Sequence, residues 1–527
     1  MSYLVSTLPI ILLIVLMLGV RLSGYKSALL TMVFAILLSI YAAKPLGIIP
    51  DAYARASIGE LLLWSTLEGV LKAIFPIFLI ILMAIFSYNI IVESGQIEVI
   101  KRQFTSLTDD KGILVLLLVW GFGGLLEGMA GFGTAVAIPA AILIGLGFKP
   151  MFSALVALLG NTVATGFGAV GVPITTLCNE AASNGVATIE SIKEICGFAV
   201  IQLAPLFLLV PFAILMLTNR KSLLKNILLS IWVGALSFGT QLACAIYLGA
   251  ETPAILGSIA AILALVVAAR ITAKGGNQGE RVKFFSFDSF KAWAVYLLIL
   301  LFILLSGPLC PSLNAFLKTH AVSRFMIPVL NNTFQFGWIS NAALMLFLGT
   351  IVGGLIQGVP LKRQILVLAR TVTSLKFTAV TILSLIALAS VMNYTGMIAS
   401  MATGLVVLTG KAYPFFAPLI GALGTFVTGS DTSSNILFAK LQVNVAQKLG
   451  LTGCHTYFGI SGNETNWLVA ANTTGATGGK MISPQSIAVA TAACEIKNSD
   501  DRILRSAIPY ALGYVAIGGL IIYFGGL

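Results

Sequence analysis

Three ionisable side chains fall inside apolar, interrupted stretches of this 527-residue chain: Glu127, Asp431 and Lys480. A charge at membrane depth is costly and marks a functional site by default. Desolvation favours the neutral form of a carboxylic acid, so Glu127 and Asp431 are candidate proton carriers. Lys480 is a candidate counter-charge, for Asp431 or for an anionic substrate. Its competing reading is a lysine near a helix end whose ammonium reaches out to water. Small polar residues lie near these charges in two sets. Gly128 and Gly131 follow Glu127, and Thr428, Ser430, Thr432 and Ser433 surround Asp431. Further on come the pairs Asn161-Thr162 and Asn472-Thr473. Hydroxyls and amides can donate to a carboxylate, and glycine lets backbone approach a ligand closely. Asn161 and Asn472 are equally suited to hydrogen bonding between packed helices, and the glycines to close packing.

Nothing points to covalent catalysis. No GxSxG, HExxH or Walker lysine is present,. The two histidines, His320 and His455, fall in loops, and the six cysteines are scattered without a CxxC pair, so neither a metal nor another cofactor is expected,. Glu68 and Lys72, four apart near the start of a span, read as a helix-face ion pair at the membrane interface,.

The elements that must hold these groups are membrane-spanning helices. The composition is 58% hydrophobic and 9% charged, and apolar stretches near spanning length recur about twelve times. A net charge of +12 would suit nucleic acid, but the Lys and Arg sit in short loops between spans, as the positive-inside rule requires. Loops around Lys101, Arg220, Arg270, Lys362 and Arg502 then lie inside, and both termini outside. The fold class is an all-α polytopic membrane protein.

Two stretches are not simple spans. Residues 112–148 contain one ionisable residue, Glu127, and six glycines near their centre. As a single helix they would run about 55 Å, against a hydrocarbon core of roughly 30 Å. They read as a re-entrant hairpin with its tip near Glu127, since irregular backbone at that depth survives only within protein or beside a cavity. Residues 413–440, with TGSDTSSN at their middle, read as a second. Residues 152–177 and 467–493 read as helices broken at Asn161 and Asn472. The first half spans 1–218, a two-span bridge and cytoplasmic linker 219–290, and the second half 291–527, inverted relative to the first. A shift of 311 residues aligns Asn161 with Asn472, Thr162 with Thr473, Gly168 with Gly479 and Pro173 with Pro484. A shift of 301 aligns Gly123 with Gly424 and Gly128 with Gly429. Inverted repeats with interrupted helices are the plan of secondary transporters, whose sites lie at midplane, where half-helix N-termini favour anions.

Four runs carry a family resemblance: GFGGLLEGMAGFGTAVAIP (Gly121–Pro139), LLGNTVATGFGAVGVPITTL (Leu158–Leu177), FVTGSDTSSNILFAKLQ (Phe426–Gln442) and AANTTGATGGKMISPQSIAVA (Ala470–Ala490). In this order, they resemble the bacterial lactate permease family. The resemblance implies a proton symporter for L-lactate, often also D-lactate and glycolate, in the bacterial inner membrane. It also implies a wider ion-transporter fold with an elevator-type movement, usually a homodimer. The Ser-Asn-Thr signature of that fold's sodium symporters is not at these hairpin tips, which favours a proton over sodium as coupling ion. A sodium-coupled carboxylate symporter is the alternative. An embedded enzyme using Glu127 and Asp431 as a carboxylate pair, or a channel, fits an inverted repeat less well.

Overall fold

The computed structural model describes residues 2–20, 22–53, 56–131, 133–182, 187–272, 287–306, 310–330, 332–457, 459–494, 496 and 500–525. Of the linker 272–290, the basic residues Lys274, Arg281 and Lys283 lie outside that set, as does Lys497. Among the described residues, nine helices are long and apolar enough to cross a membrane, and two bent pairs bring the total to as many as eleven. Ser2–Met17 and Ala342–Ile356 are shorter apolar helices at two further positions that read as spans. Two antiparallel strand pairs interrupt the helices, Val322–Ile327 with Asn332–Gly337 and Cys454–Tyr457 with Ile460–Asn463.

Both hairpins are present. In the first, Lys111–Met129 is buried from Ile113 onward, turns through Gly131 and Gly133 at φ 64° and 85°, and returns as Thr134–Gly145. Asp110 starts it by accepting from Gly112 N at 3.0 Å and Ile113 N at 3.1 Å, which satisfies donors that a helix start leaves free. In the second, Tyr413–Thr428 turns at Gly429 and returns as Asp431–Leu449.

The inverted repeat is visible in order and packing. Each hairpin follows a span, a left-handed glycine and a short helix: Leu79–Glu93, Gly95, Gln96–Thr105 in one half and Lys376–Tyr394, Gly396, Met397–Thr409 in the other. Gly95 and Gly396 differ by 301 positions, the offset of the hairpin glycines. Contacts between halves are reciprocal. Ile58–Lys72 packs on Lys376–Tyr394, and Leu361–Ser374 on Leu79–Glu93. Gly168–Ala181 packs on Asp431–Leu449, and Pro484–Ala493 on Thr134–Gly145. Such exchange of partners is what an axis in the membrane plane produces.

The broken helices are unequal. Pro150–Gly160 and Val163–Ala181 meet at 47° on either side of Asn161-Thr162, as expected. The expected break at Asn472 is absent: Glu464–Lys480 is one continuous helix, and the interruption comes at Met481–Ser483, before Pro484. Its glycines have another purpose. A Cβ on Gly475 would overlap the Pro418 carbonyl oxygen, and one on Gly479 the Ala422 carbonyl oxygen. Gly421 likewise lies against the Asn472 carbonyl. The residues GATGG (475–479) therefore form a small-residue seam that lets two backbones touch,, and they do not unwind the helix.

Candidate functional site

The second hairpin and the continuous helix deliver their charges to the first hairpin's tip. Glu127 lies in the last turn of Lys111–Met129, Lys480 is the final residue of Glu464–Lys480, and Asp431 is the first of Asp431–Leu449. Lys480 Nζ donates to Glu127 Oε1 at 2.9 Å, with the carboxylate side chain 3% exposed. Among the described residues, Glu127 Oε2 and both Asp431 oxygens are buried and accept no well-formed hydrogen bond. Lys480, Glu127 and the hydroxyls of Thr425 and Thr165 face Asp431 among the described residues. With all three ionised, the cluster carries one net negative charge, and a lone ammonium must serve two carboxylates in a medium of low polarity.

Three helices start at this point: Thr134–Gly145, Asp431–Leu449 and Pro484–Ala493. Ser430 Oγ accepts from Ser433 N at 3.2 Å and Ser483 Oγ from Ser486 N at 3.2 Å, so both later starts are capped by serine. Their first-turn N–H groups and aligned dipoles favour an anion. Between them lies a cavity of about 420 Å³, within the range of small-molecule sites. It extends from the charge cluster to Tyr25 and Phe377, whose rings stack at 4.6 Å. Lys26 and Lys376 lie over those two rings.

The structure gathers Glu127, Gly131, Thr428, Ser430, Asp431, Thr432, Ser433 and Lys480 around this cavity. It places the other candidates away from it. Gly128 lies against Ile255 and Ala254 of helix Pro253–Thr272, where a Cβ would meet them at 3.0–3.2 Å, so it is a packing glycine. Thr162 donates to Leu159 O at 2.9 Å. Asn161 is 1% exposed at the helix break, and among the described residues neither amide atom has a partner. Asn472 donates to Asn435 Oδ1 at 2.9 Å and accepts from Gln442 at 3.3 Å, while Thr473 accepts from Asn435 at 3.2 Å. That is the interhelical hydrogen bonding which competed with the binding reading.

Several lining residues escaped sequence reasoning: Thr165, Gly168, Gln485 and Ser486. A Cβ on Gly168 would lie 2.8 Å from Glu127 Oε1, so the bare backbone there gives the carboxylate its room. The signal available was TGFGAVG, too many small residues for a plain helix. It folds with Ala169 and Val170 at φ 43° and 58°, a left-handed conformation costly for side chains with a Cβ,. Strained backbone of this kind clusters at functional sites.

The family model for L-lactate permease matches residues 2–525. The chain belongs to the L-lactate permease family. An L-lactate permease of Streptococcus iniae is 40% identical over 74% of this chain and 81% of its own length. The glycolate permease GlcA of Escherichia coli (strain K12) is 33% identical over 99% of this chain and 95% of its own. An L-lactate permease of Bacillus subtilis (strain 168) is 31% identical over 93% and 90%. In fold, the chain is similar to the YdaH transporter of Alcanivorax borkumensis, with a TM-score of 0.54 at 15% identity, covering 94% of this chain and 98% of that one. The protein is thus a multi-pass membrane permease, and the cavity lies between the hairpins of its two halves.

Proposed function

We propose that this chain is a proton-coupled symporter for L-lactate and the related 2-hydroxymonocarboxylates D-lactate and glycolate, working in the bacterial inner membrane. The relatives named for lactate and glycolate support the substrate class. The observation that carries the coupling is Lys480 held by Glu127 while Asp431, beside it, is in no ion pair among the described residues.

With Glu127 and Asp431 both ionised, the cavity is net negative and repels an anion. One proton on Asp431 leaves Glu127 and Lys480 as a neutral pair. The remaining Lys480 N–H groups and the helix starts at Ser430 and Ser483 can then receive the substrate carboxylate. Thr432 and Ser433 line the same cavity, and their hydroxyls can hydrogen-bond the substrate's 2-hydroxyl. Anion and proton therefore enter together, and the loaded site carries the same net charge as the empty ionised one. Neither is retained well alone, which is the requirement for coupled transport.

The test is radiolabelled lactate uptake in proteoliposomes with proton and sodium gradients imposed separately, competed with glycolate, pyruvate and succinate. A proton gradient alone should drive accumulation, with glycolate competing and succinate not. Accumulation driven by sodium alone would replace this reading with the sodium-coupled one.

A further inference from the structure

A second group of buried charges lies outside the substrate cavity. A separate cavity of about 250 Å³ is bounded by helices Ile58–Lys72 and Gly168–Ala181 and the strand pair Val322–Ile327 with Asn332–Gly337. In the orientation set by the basic loops it lies at the outer side. Glu68 and Lys72, read from sequence as an interface pair, are on its wall. Glu68 is 1% exposed and fully engaged. It accepts from Lys72 at 2.8 Å, Asn332 at 3.0 Å, Tyr394 at 3.1 Å and the Ser390 hydroxyl. Four donors fill the acceptor positions of this carboxylate,.

Glu180 lines the same cavity and is different. It is 9% exposed, and among the described residues no group hydrogen-bonds its carboxylate. The charged groups facing it are Lys72 and Glu68 from one helix and Lys440 from another, and Glu251 also lines the cavity. Lys440 donates to the carbonyls of Ala181 and Ala182, just beyond Glu180. Glu180 can therefore gain or lose a proton without breaking a hydrogen bond, with two ammonium groups facing it.

Its position ties it to the substrate site. Glu180 and Lys440 lie on the two helices, Gly168–Ala181 and Asp431–Leu449, whose opposite ends meet Glu127 and carry Asp431. The left-handed segment separates the two cavities: Ala169 lines the inner one and Val170 the outer one.

We propose that Glu180 is the carboxylate that takes up protons from the outer side, a loading residue apart from the substrate cavity. The step is a bare proton transfer from solvent to a Glu180 oxygen and later back, with no other bond changed. The inference rests on the proton-coupled reading above.

The test compares wild type, Glu180→Gln and Glu180→Asp in vesicles, measuring initial lactate uptake against external pH at fixed internal pH. Lactate counterflow at equal pH serves as the control. Glu180→Gln should keep counterflow within about twofold of wild type and flatten the external-pH profile, whereas Glu180→Asp should keep a profile with a displaced midpoint. An unchanged profile and accumulation in Glu180→Gln would overturn the inference while leaving proton coupling intact. Wild-type uptake indifferent to a proton gradient would instead remove the reading beneath it. If Glu180→Gln fails to insert, wild-type vesicles treated outside with a membrane-impermeant carbodiimide decide the matter. Adduct at Glu180, read by peptide mass spectrometry, should rise as external pH falls. No adduct at any pH would overturn the proposal.

Discussion

Lys480 and Glu127 come from opposite halves of the chain, 353 positions apart, and meet at 2.9 Å. Each brings its own half's interrupted element to the midpoint, so the pair is the seam at which the repeats join. Removing one member leaves a buried charge without its counter-charge, a loss of about 3–5 kcal/mol. Lys480→Met should therefore lower the thermal midpoint of the detergent-purified protein markedly. The double variant Lys480→Met, Glu127→Gln should recover most of that loss. Equal midpoints for single and double variants would mean that the two charges do not act as a pair.

Glu127→Gln and Asp431→Asn should both insert normally and lose accumulation, with the inside-to-outside lactate ratio falling toward roughly one under a proton gradient. Asp431→Asn should retain exchange better, because its neutral amide mimics the protonated acid while the Glu127–Lys480 pair stays. Uphill uptake at the wild-type level by both variants in proteoliposomes would refute the assigned coupling role.

Asn472→Ala should act on stability and not on substrate affinity. It removes partners of Asn435 and Gln442 inside the protein, and leaving such groups unsatisfied costs about 1–3 kcal/mol. The expected result is a lower thermal midpoint with lactate KM unchanged. A raised KM at an unchanged midpoint would return Asn472 to the binding site.

Gly475→Val should abolish assembly of the second half, because any side chain there meets the Pro418 carbonyl. Gly513→Ala, at a position with open space around it, should be tolerated and is the control. Size-exclusion profiles of the two variants in detergent would separate these outcomes.

Hairpins and charges were legible in the sequence because each violates a simple rule of membrane composition. Glu127, Asp431 and Lys480 are ionisable residues where lipid-facing helices cannot carry them, and 37 residues (112–148) are too many for one crossing,. What could not be read was which glycines unwind a helix and which press two helices together. Composition is the same in both cases, and the answer depends on a neighbour such as Pro418, distant in sequence from Gly475. The packing of Gly128 is hidden for the same reason, since Ile255 comes to it from another part of the chain. The setting of Glu68 was hidden likewise: Asn332, Ser390 and Tyr394 turn a helix-face pair into a buried cluster.

The backbone contacts of Gly421, Gly475 and Gly479 leave no slack between Tyr413–Thr428 and Glu464–Lys480. These two helices cannot slide past one another. Any rearrangement of the protein must carry them as a single block, so Lys480 keeps its place against the hairpin arm that leads to Gly429. The hinge of the transport cycle must then be sought elsewhere, at joints with room to give.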